Sequence, residues 1–295
     1  MSLIVAGATG AIGRCVVREA LRRAEITRVV ALTRSTAVSD PAALFNFTVL
    51  SDAAEATNNN NSSSSTTDAV TPEQLRRLIP VTFDWEKFCG FWTQREAGGA
   101  ATDVQYVGGS YESAEAYYRD LFGGHAYAAM CLGTTRHDAG SAAAFEHCDY
   151  DYVVNFAKAV RAFSGDTVAT YAQVSAQLAD KNSWLLYNKT KGRADAAVEA
   201  LQFPRCCIYR PGLLNRGAKT RTVEKVAQWF VRGIPVETCG RAILRDMLFC
   251  SKRSSSDAAI PPCECAGKAE STPSTGTQVI IFANSAIQKE AADLK

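Results

Sequence analysis

The chain has 295 residues, 47% of them hydrophobic and 21% charged, and a formal net charge of +2. That is ordinary globular composition, long enough to bury roughly three quarters of the unfolded surface. The scattered lysines and arginines form no basic stripe with interleaved aromatics, so no nucleic-acid partner is expected, and no apolar run reaches the roughly 20 residues of a membrane span.

Residues 3–6 (LIVA) read as a buried strand, and 15–23 as a helix with Val16, Val17, Ala20 and Leu21 on its apolar side. Residues 29–32 (VVAL) form the next buried strand. A crossover of that length puts the two strands parallel in one sheet. Residues 51–71 have almost nothing to bury and read as a low-complexity surface insertion. Order returns over 78–89, where LIPVTFDW reads as a strand ending near Asp84. Residues 95–110 are Gly-rich loop, and 113–122 a short helix. Residues 125–135 read as a buried strand running into a Gly turn, and 149–163 as a long amphipathic helix. A strand over 167–176, a helix over 186–201 and a strand over 206–212 follow. Residues 253–276 read as a second loose insertion, 278–283 as a late strand, and a short helix closes the chain. Strands alternating with helices predict an α/β fold, a Rossmann-like doubly wound parallel sheet with helices on both faces. The expected organisation is one domain over 1–295, carrying both insertions and a small substrate-side lobe after about 212.

Ten cysteines and three histidines contain no CxxC and no pairing at zinc spacing, so no metal is expected. The thiols read as reduced and mostly buried. Strand material beginning at Leu3 leaves no room for a secretory signal, and a cytoplasmic location is the expectation.

GATGAIGR, residues 7–14, carries the first chemistry. A Gly-rich loop between strand and helix lets backbone approach a pyrophosphate, and the helix N-terminus presents free N–H groups. Three glycines alone also fit a plain tight turn. Their place, after the first strand and opening the first helix, is the one the nucleotide fingerprint requires. In such folds an acid at the end of the second strand bonds the ribose hydroxyl of NAD, whereas an arginine accommodates the extra phosphate of NADP. Here Arg34 follows the strand, the first acid is Asp40, and Arg14 adds a second positive charge, so NADP(H) is expected.

Tyr187 and Lys191 lie four apart, one turn apart on a helix face. Ser175 ends the preceding strand, where open α/β sheets bind their ligands. A tyrosine hydroxyl is a poor proton carrier at neutral pH, and a neighbouring ammonium favours its phenolate. A serine hydroxyl can bond a carbonyl as it becomes an alcohol.

With these motifs together, the sequence resembles the short-chain dehydrogenase/reductase superfamily in its atypical or extended branch. It is more closely similar to the Tat-interacting oxidoreductase group. GATGAIGR, ALTR, CLGTTRHDAGSAAAFEHCDYDYV, ADKNSWLLYNKTKG and YRPGLL carry the resemblance, over about 1–50, 78–89, 125–250 and 278–295. It implies that Gly7, Thr9, Gly10, Ile12 and Gly13 line the pyrophosphate, that Arg34 meets the adenosine phosphate and that Asp84 sits by the adenine. Cys131, Leu132 and Gly133 would pass beside the adenine-side ribose, and Pro211 to Leu213 would touch the carboxamide. Ser175, Tyr187 and Lys191 would form the catalytic trio, with Lys191 also bonding the nicotinamide ribose. Residues 176–177 are Ala-Gln where the group tends to have Ser-Lys, and Asp149 stands where many extended members place an Asn. The implied function is NADPH-dependent hydride transfer to a small carbonyl substrate. The alternative is an NADPH-binding regulatory protein with a protein partner and little turnover, and nucleotide-sugar chemistry ranks lowest.

Overall fold

The computed structural model describes residues 1–50, 69–98, 111–215, 233–250, 268–271 and 277–292. The first apolar run forms β1 (Ser2–Ala6), and the Gly-rich loop hands the chain to α1 (Ala11–Leu21), which starts at Ala11 rather than Cys15 because Gly10 already serves as its N-cap. There follow β2 (Arg28–Thr33), β3 (Leu78–Thr82), α2 (Trp85–Glu96), α3 (Ala114–Phe122), β4 (Tyr127–Met130) and α4 (Tyr152–Ser164). The chain continues through β5 (Thr170–Val174), α5 (Leu186–Glu199), β6 (Arg205–Tyr209) and α6 (Val236–Arg245). It ends with β7 (Lys268–Ser271), β8 (Gln278–Phe282) and α7 (Asn284–Ala292).

The sheet order is β7-β8-β6-β5-β4-β1-β2-β3. Seven strands are parallel and β7 alone runs antiparallel, on the β8 edge. This is the doubly wound order, with its reversal between β1 and β4, where Ile4 pairs with Val30 on one side and Ala128 on the other. Near-continuous apolar strands belong in such a sheet because both faces are covered. Along β1, Leu3 and Val5 enter the core under α1, α6 and α7, while Ile4 and Ala6 enter the opposite one. That second core is aromatic, with Phe83, Trp85, Phe88, Tyr118, Phe122 and Phe156 in contact.

The structure departs from the sequence reading in several places. LIPVTFDW is not one strand: β3 ends at Thr82, and Asp84 accepts from the Lys87 backbone N–H at 3.0 Å to cap α2, a helix the sequence reading lacked. The helix expected from Asp149 opens with a π-helical turn, His147–Asp151, before α4. β7 arises inside the stretch expected to be loose, because β8 offers it an edge. Residues 51–68, 99–110, 251–267 and 272–276, which carry most of both expected insertions and most of the Gly-rich loop, lie outside the described residues. Of the segment after 212, Gly212 to Leu214 reach the groove described below, whereas α6 packs on α1 and α7.

Candidate functional site

The groove opens at the carboxyl ends of β1 and β4, at the reversal of strand order. Gly7 has φ of +68°, and a Cβ on it would sit 2.4 Å from the Leu132 backbone nitrogen, so only glycine lets the two strand ends meet. A Cβ on Gly13 would lie 2.2 Å from the Gly7 carbonyl oxygen, which fixes how closely α1 approaches the loop. Gly10 caps α1 with no side-chain bond, and no acid occupies the first turn. The free N–H groups of that turn therefore face the groove with no competing negative charge, as an anionic ligand needs.

The groove has two halves. The first, about 650 Å³, is lined by Gly7, Thr9, Gly10 and Arg34, with Trp85 and Tyr152 as an aromatic wall. The second, about 370 Å³, is lined by Ile12, Ser175, Tyr187, Lys191, Gly212 and Leu213. Gly10 and the run Cys131, Leu132, Gly133 and Thr134 line both, so the halves are continuous. Four expected residues stand outside this lining. Gly13 lies behind Gly7, and Arg14 is half-buried on the first turn of α1. Asp84 is engaged as the cap of α2, and its neighbour Trp85 reaches the groove instead. Pro211 accepts the Gln177 N–H at 2.9 Å through its carbonyl.

In the second half the polar groups are tightly partnered. The Lys191 ammonium sits 2.7 Å from Asp149 Oδ1, and both side chains are buried. Asp149 Oδ2 accepts the Thr134 N–H at 2.9 Å, tying the groove floor to the same carboxylate. Burial by itself would push the lysine's pKa down, but Asp149 and then Tyr187 act against it, and the net shift is upward. Ser175 Oγ donates to Asp195 Oδ2 at 2.9 Å. Burial pushes the Asp195 carboxyl above the usual range, against the pull of Arg210. Tyr187 is 41% exposed, and its ring stacks on Phe145 with centroids 5.6 Å apart.

Asp195 was missed in the sequence, although a signal existed: Tyr187, Lys191 and Asp195 repeat every four residues along one face of α5. The aromatic wall was missed too. Trp85 stacks on Tyr152 with centroids 5.0 Å apart, and Tyr152 donates to Glu86. His147 bonds Asp151 at 2.7 Å and Glu86 at 3.0 Å, joining the π-helical turn to α2.

No family model matches the sequence. The chain is similar to Protein HTATIP2 of Rattus norvegicus, 33% identical over 145 residues, which are 44% of this chain and 57% of that protein. It is similar to Protein FMP52-2, mitochondrial, of Scheffersomyces stipitis, 43% identical over 95 residues, 32% of this chain and 40% of that one. It is also similar to Protein fmp52, mitochondrial, of Emericella nidulans, 39% identical over 100 residues, 34% of this chain and 42% of that one. The chain thus spans about half the length of the curated relatives it matches. Among solved structures it resembles a short-chain dehydrogenase/reductase from Saccharomyces cerevisiae, with TM-score 0.51, 11% identity and 98% of each chain covered. It also resembles the PhqB reductase domain from Penicillium fellutanum, with TM-score 0.52, 13% identity, 84% of this chain and 64% of that one. A third likeness is UDP-glucuronic acid 4-epimerase from Bacillus cereus, solved with UDP-glucuronic acid and NAD, with TM-score 0.50, 10% identity, 84% of this chain and 73% of that one.

The fungal relatives correct the expected compartment. They are named mitochondrial, which points to mitochondria rather than the cytoplasm. Among the described residues, no helix is long and apolar enough to cross a membrane. The fold is Rossmann-like, as in these solved structures, and over part of its length the chain is similar to the HTATIP2 and FMP52 proteins.

Proposed function

We propose that the chain is an NADPH-dependent oxidoreductase that transfers hydride to a small carbonyl substrate. One observation carries this: a continuous groove with a glycine loop and Arg34 at one end and Ser175, Tyr187 and Lys191 at the other. The donor set fits the cofactor. The uncapped start of α1 supports the pyrophosphate, Arg34 the adenosine phosphate, and Lys191 the nicotinamide ribose. When bound, NADPH supplies the hydride. Tyr187 gives the proton to the substrate oxygen, Lys191 steadies the charge on that tyrosine, and Ser175 meets the same oxygen.

Tyr187→Phe tests the chemistry on a panel of aldehydes, ketones and quinones. Turnover is expected to fall about 10²–10⁴-fold, the usual worth of a positioned proton donor; unchanged turnover removes Tyr187 from the mechanism. Arg34→Ala tests the cofactor. Titrated against tryptophan fluorescence, NADPH affinity is expected to fall roughly tenfold or more, the worth of a lost charge-assisted bond, with NADH affinity unchanged. Wild-type protein that binds NADH as tightly as NADPH defeats the Arg34 argument.

A second reading makes the protein an NADPH-binding regulator with a protein partner. It is supported by exposed apolar side chains: Trp184 is 90% exposed and Leu178 74% exposed, on the segment leading into α5. Tight NADPH binding without turnover on the panel, together with a recovered partner, favours that reading.

A further inference from the structure

Three hydrogen bonds hold the stretch from Pro211 to Leu213, where the chain has left β6 and Gly212 and Leu213 line the second half of the groove. The Pro211 carbonyl accepts the Gln177 N–H at 2.9 Å, and the Leu213 carbonyl accepts the Ile234 N–H at 2.8 Å. Both join backbone to backbone, so neither depends on the side chains that stand there. The third is different: the Gly212 N–H donates to Asn284 Oδ1 at 3.0 Å, across 72 residues of sequence. Sheet register brings the two together. Tyr209 pairs with Phe282 where β6 and β8 run parallel, and the Arg210 N–H reaches the Phe282 carbonyl at 2.8 Å. Gly212 follows shortly after Tyr209, and Asn284, after Phe282, begins α7. Gly212 is the point of this stretch most in need of a hold. Without a Cβ it has the widest choice of backbone conformations, and Pro211 before it offers no N–H. Gln177 Oε1 and Asn284 Nδ2 crowd the place where a Cβ would stand, 2.7 and 3.3 Å away. Only the oxygen of the Asn284 amide can accept, so the bond also fixes which way that amide is turned.

We infer that Asn284 is a positioning residue for the nicotinamide of the cofactor: it fixes Gly212, and through Gly212 the wall against which the ring rests. This rests on the hydride-transfer reading of the same groove and adds to it a residue from the C-terminal helix. In that reading the ring that gives the hydride lies beside Tyr187, and Gly212 and Leu213 line the same half of the groove as Tyr187 and Lys191. Asn284 stands outside the lining of both halves, so it acts on the cofactor only through the loop. The glycine loop and Arg34 hold the other end of the cofactor, in the first half, and do not depend on Asn284. Loss of the Asn284 oxygen frees the Gly212 N–H and with it the conformation of the glycine, so the cost falls on the nicotinamide end alone.

The test titrates the full chain, by tryptophan fluorescence, with NADPH and with 2′-phospho-ADP-ribose, which is the cofactor without its nicotinamide. No turnover is needed. Asn284→Ala is expected to weaken NADPH roughly fivefold, the worth of one hydrogen bond, and to leave 2′-phospho-ADP-ribose unchanged. Asn284→Asp keeps an acceptor for Gly212 and suits the start of a helix, so it is expected to restore the wild-type preference for NADPH. Asn284→Ser, whose oxygen is one bond shorter, is expected to repeat the alanine result, and it decides the matter should the alanine variant not fold. The inference is overturned when NADPH binding survives both truncations, when the two ligands weaken together, or when Asn284→Asp behaves like Asn284→Ala. It is overturned as well when the wild type holds NADPH no more tightly than 2′-phospho-ADP-ribose. Failure of the hydride-transfer reading is seen separately. The expected binding pattern with no turnover on carbonyl panels removes the reaction and leaves the role of Asn284 in place, whereas a wild type that binds neither ligand removes both.

Discussion

Lys191 carries two duties that compete. It lines the groove beside Tyr187, yet its ammonium is 2.7 Å from the buried Asp149, whose other oxygen holds the Thr134 N–H. An ion pair removed from water is stabilising mainly in the sense that losing one partner is costly. Asp149→Ala leaves both the ammonium and the Thr134 N–H without their acceptor, and is expected to cost about 3–5 kcal/mol in urea unfolding at neutral pH. Neutral pH is the right place to look. The lysine's folded pKa is raised, so the pair's contribution is complete below the unfolded value of about 10.4 and is lost only as pH rises through the folded one. Asp149→Asn keeps an acceptor for Thr134 and is expected to cost less than Asp149→Ala. Equal losses for the two variants contradict the account of Asp149 as a double anchor.

The link between α2 and the π-helical turn is an electrostatic tie at the Arg34 end of the groove. His147 lies between Asp151 and Glu86, and Glu86 also accepts from Tyr152, whose ring stacks on the groove residue Trp85. The bond to Asp151 raises the His147 pKa against its partial burial, and the bonds from Tyr152 and His147 lower that of Glu86. The tie is therefore fully charged only in a window. It weakens as pH rises through the raised histidine value, above 6.5, and as pH falls through the lowered Glu86 value, below 4.5. Titration of the His147 ring protons by NMR is expected to show a midpoint above the ordinary one, moving down in Asp151→Asn and less so in Glu86→Gln. A midpoint indifferent to both changes dissolves the tie. At this scale the sequence was legible wherever the signal was local. The VVAL and LIVA runs, the glycine spacing and the Tyr187–Lys191 step each sit within one element. α2 was not legible, because WEKFCGFWTQRE has no clean apolar stripe and Gly90 interrupts it. β7 was not, because its pairing partner comes from β8 rather than from its own polar sequence. The Ser175–Asp195 bond joins a strand end to a helix 20 residues on, and only the fold brings them together.

For the molecule as a whole, the seven free cysteines among the described residues set a limit on the alkaline side. Cys15 and Cys239 face the α1–α6 contact, where Gly240 packs directly on Cys15, and Cys89 lies in α2. Burial raises Cys15 and Cys239 from 9.0 to about 12, and Cys89 to about 11. Cys206 and Cys207, in β6, are pushed up as well by the same cause. A thiol whose folded pKa is raised lends its full stability below the unfolded value, and that stability drains away as pH climbs towards the folded one. The unfolded chain can ionise these groups near pH 9 while the folded chain cannot, so each deeply buried thiol costs about 1.4 kcal/mol by pH 10. Cys15, Cys89 and Cys239 alone amount to about 4 kcal/mol, a large share of the 5–15 kcal/mol that holds an ordinary domain together. Urea unfolding under reducing conditions is expected to show that loss between pH 7.5 and pH 10. Cys15→Ala and Cys239→Ala each lower stability at neutral pH by opening a cavity in the core. They are nevertheless expected to flatten the pH dependence by about 1.4 kcal/mol apiece, because the group that titrates is gone. A slope that survives both substitutions unchanged places the alkaline weakness in other groups, and a stability level across that range means these thiols are not held apart from water in the folded chain.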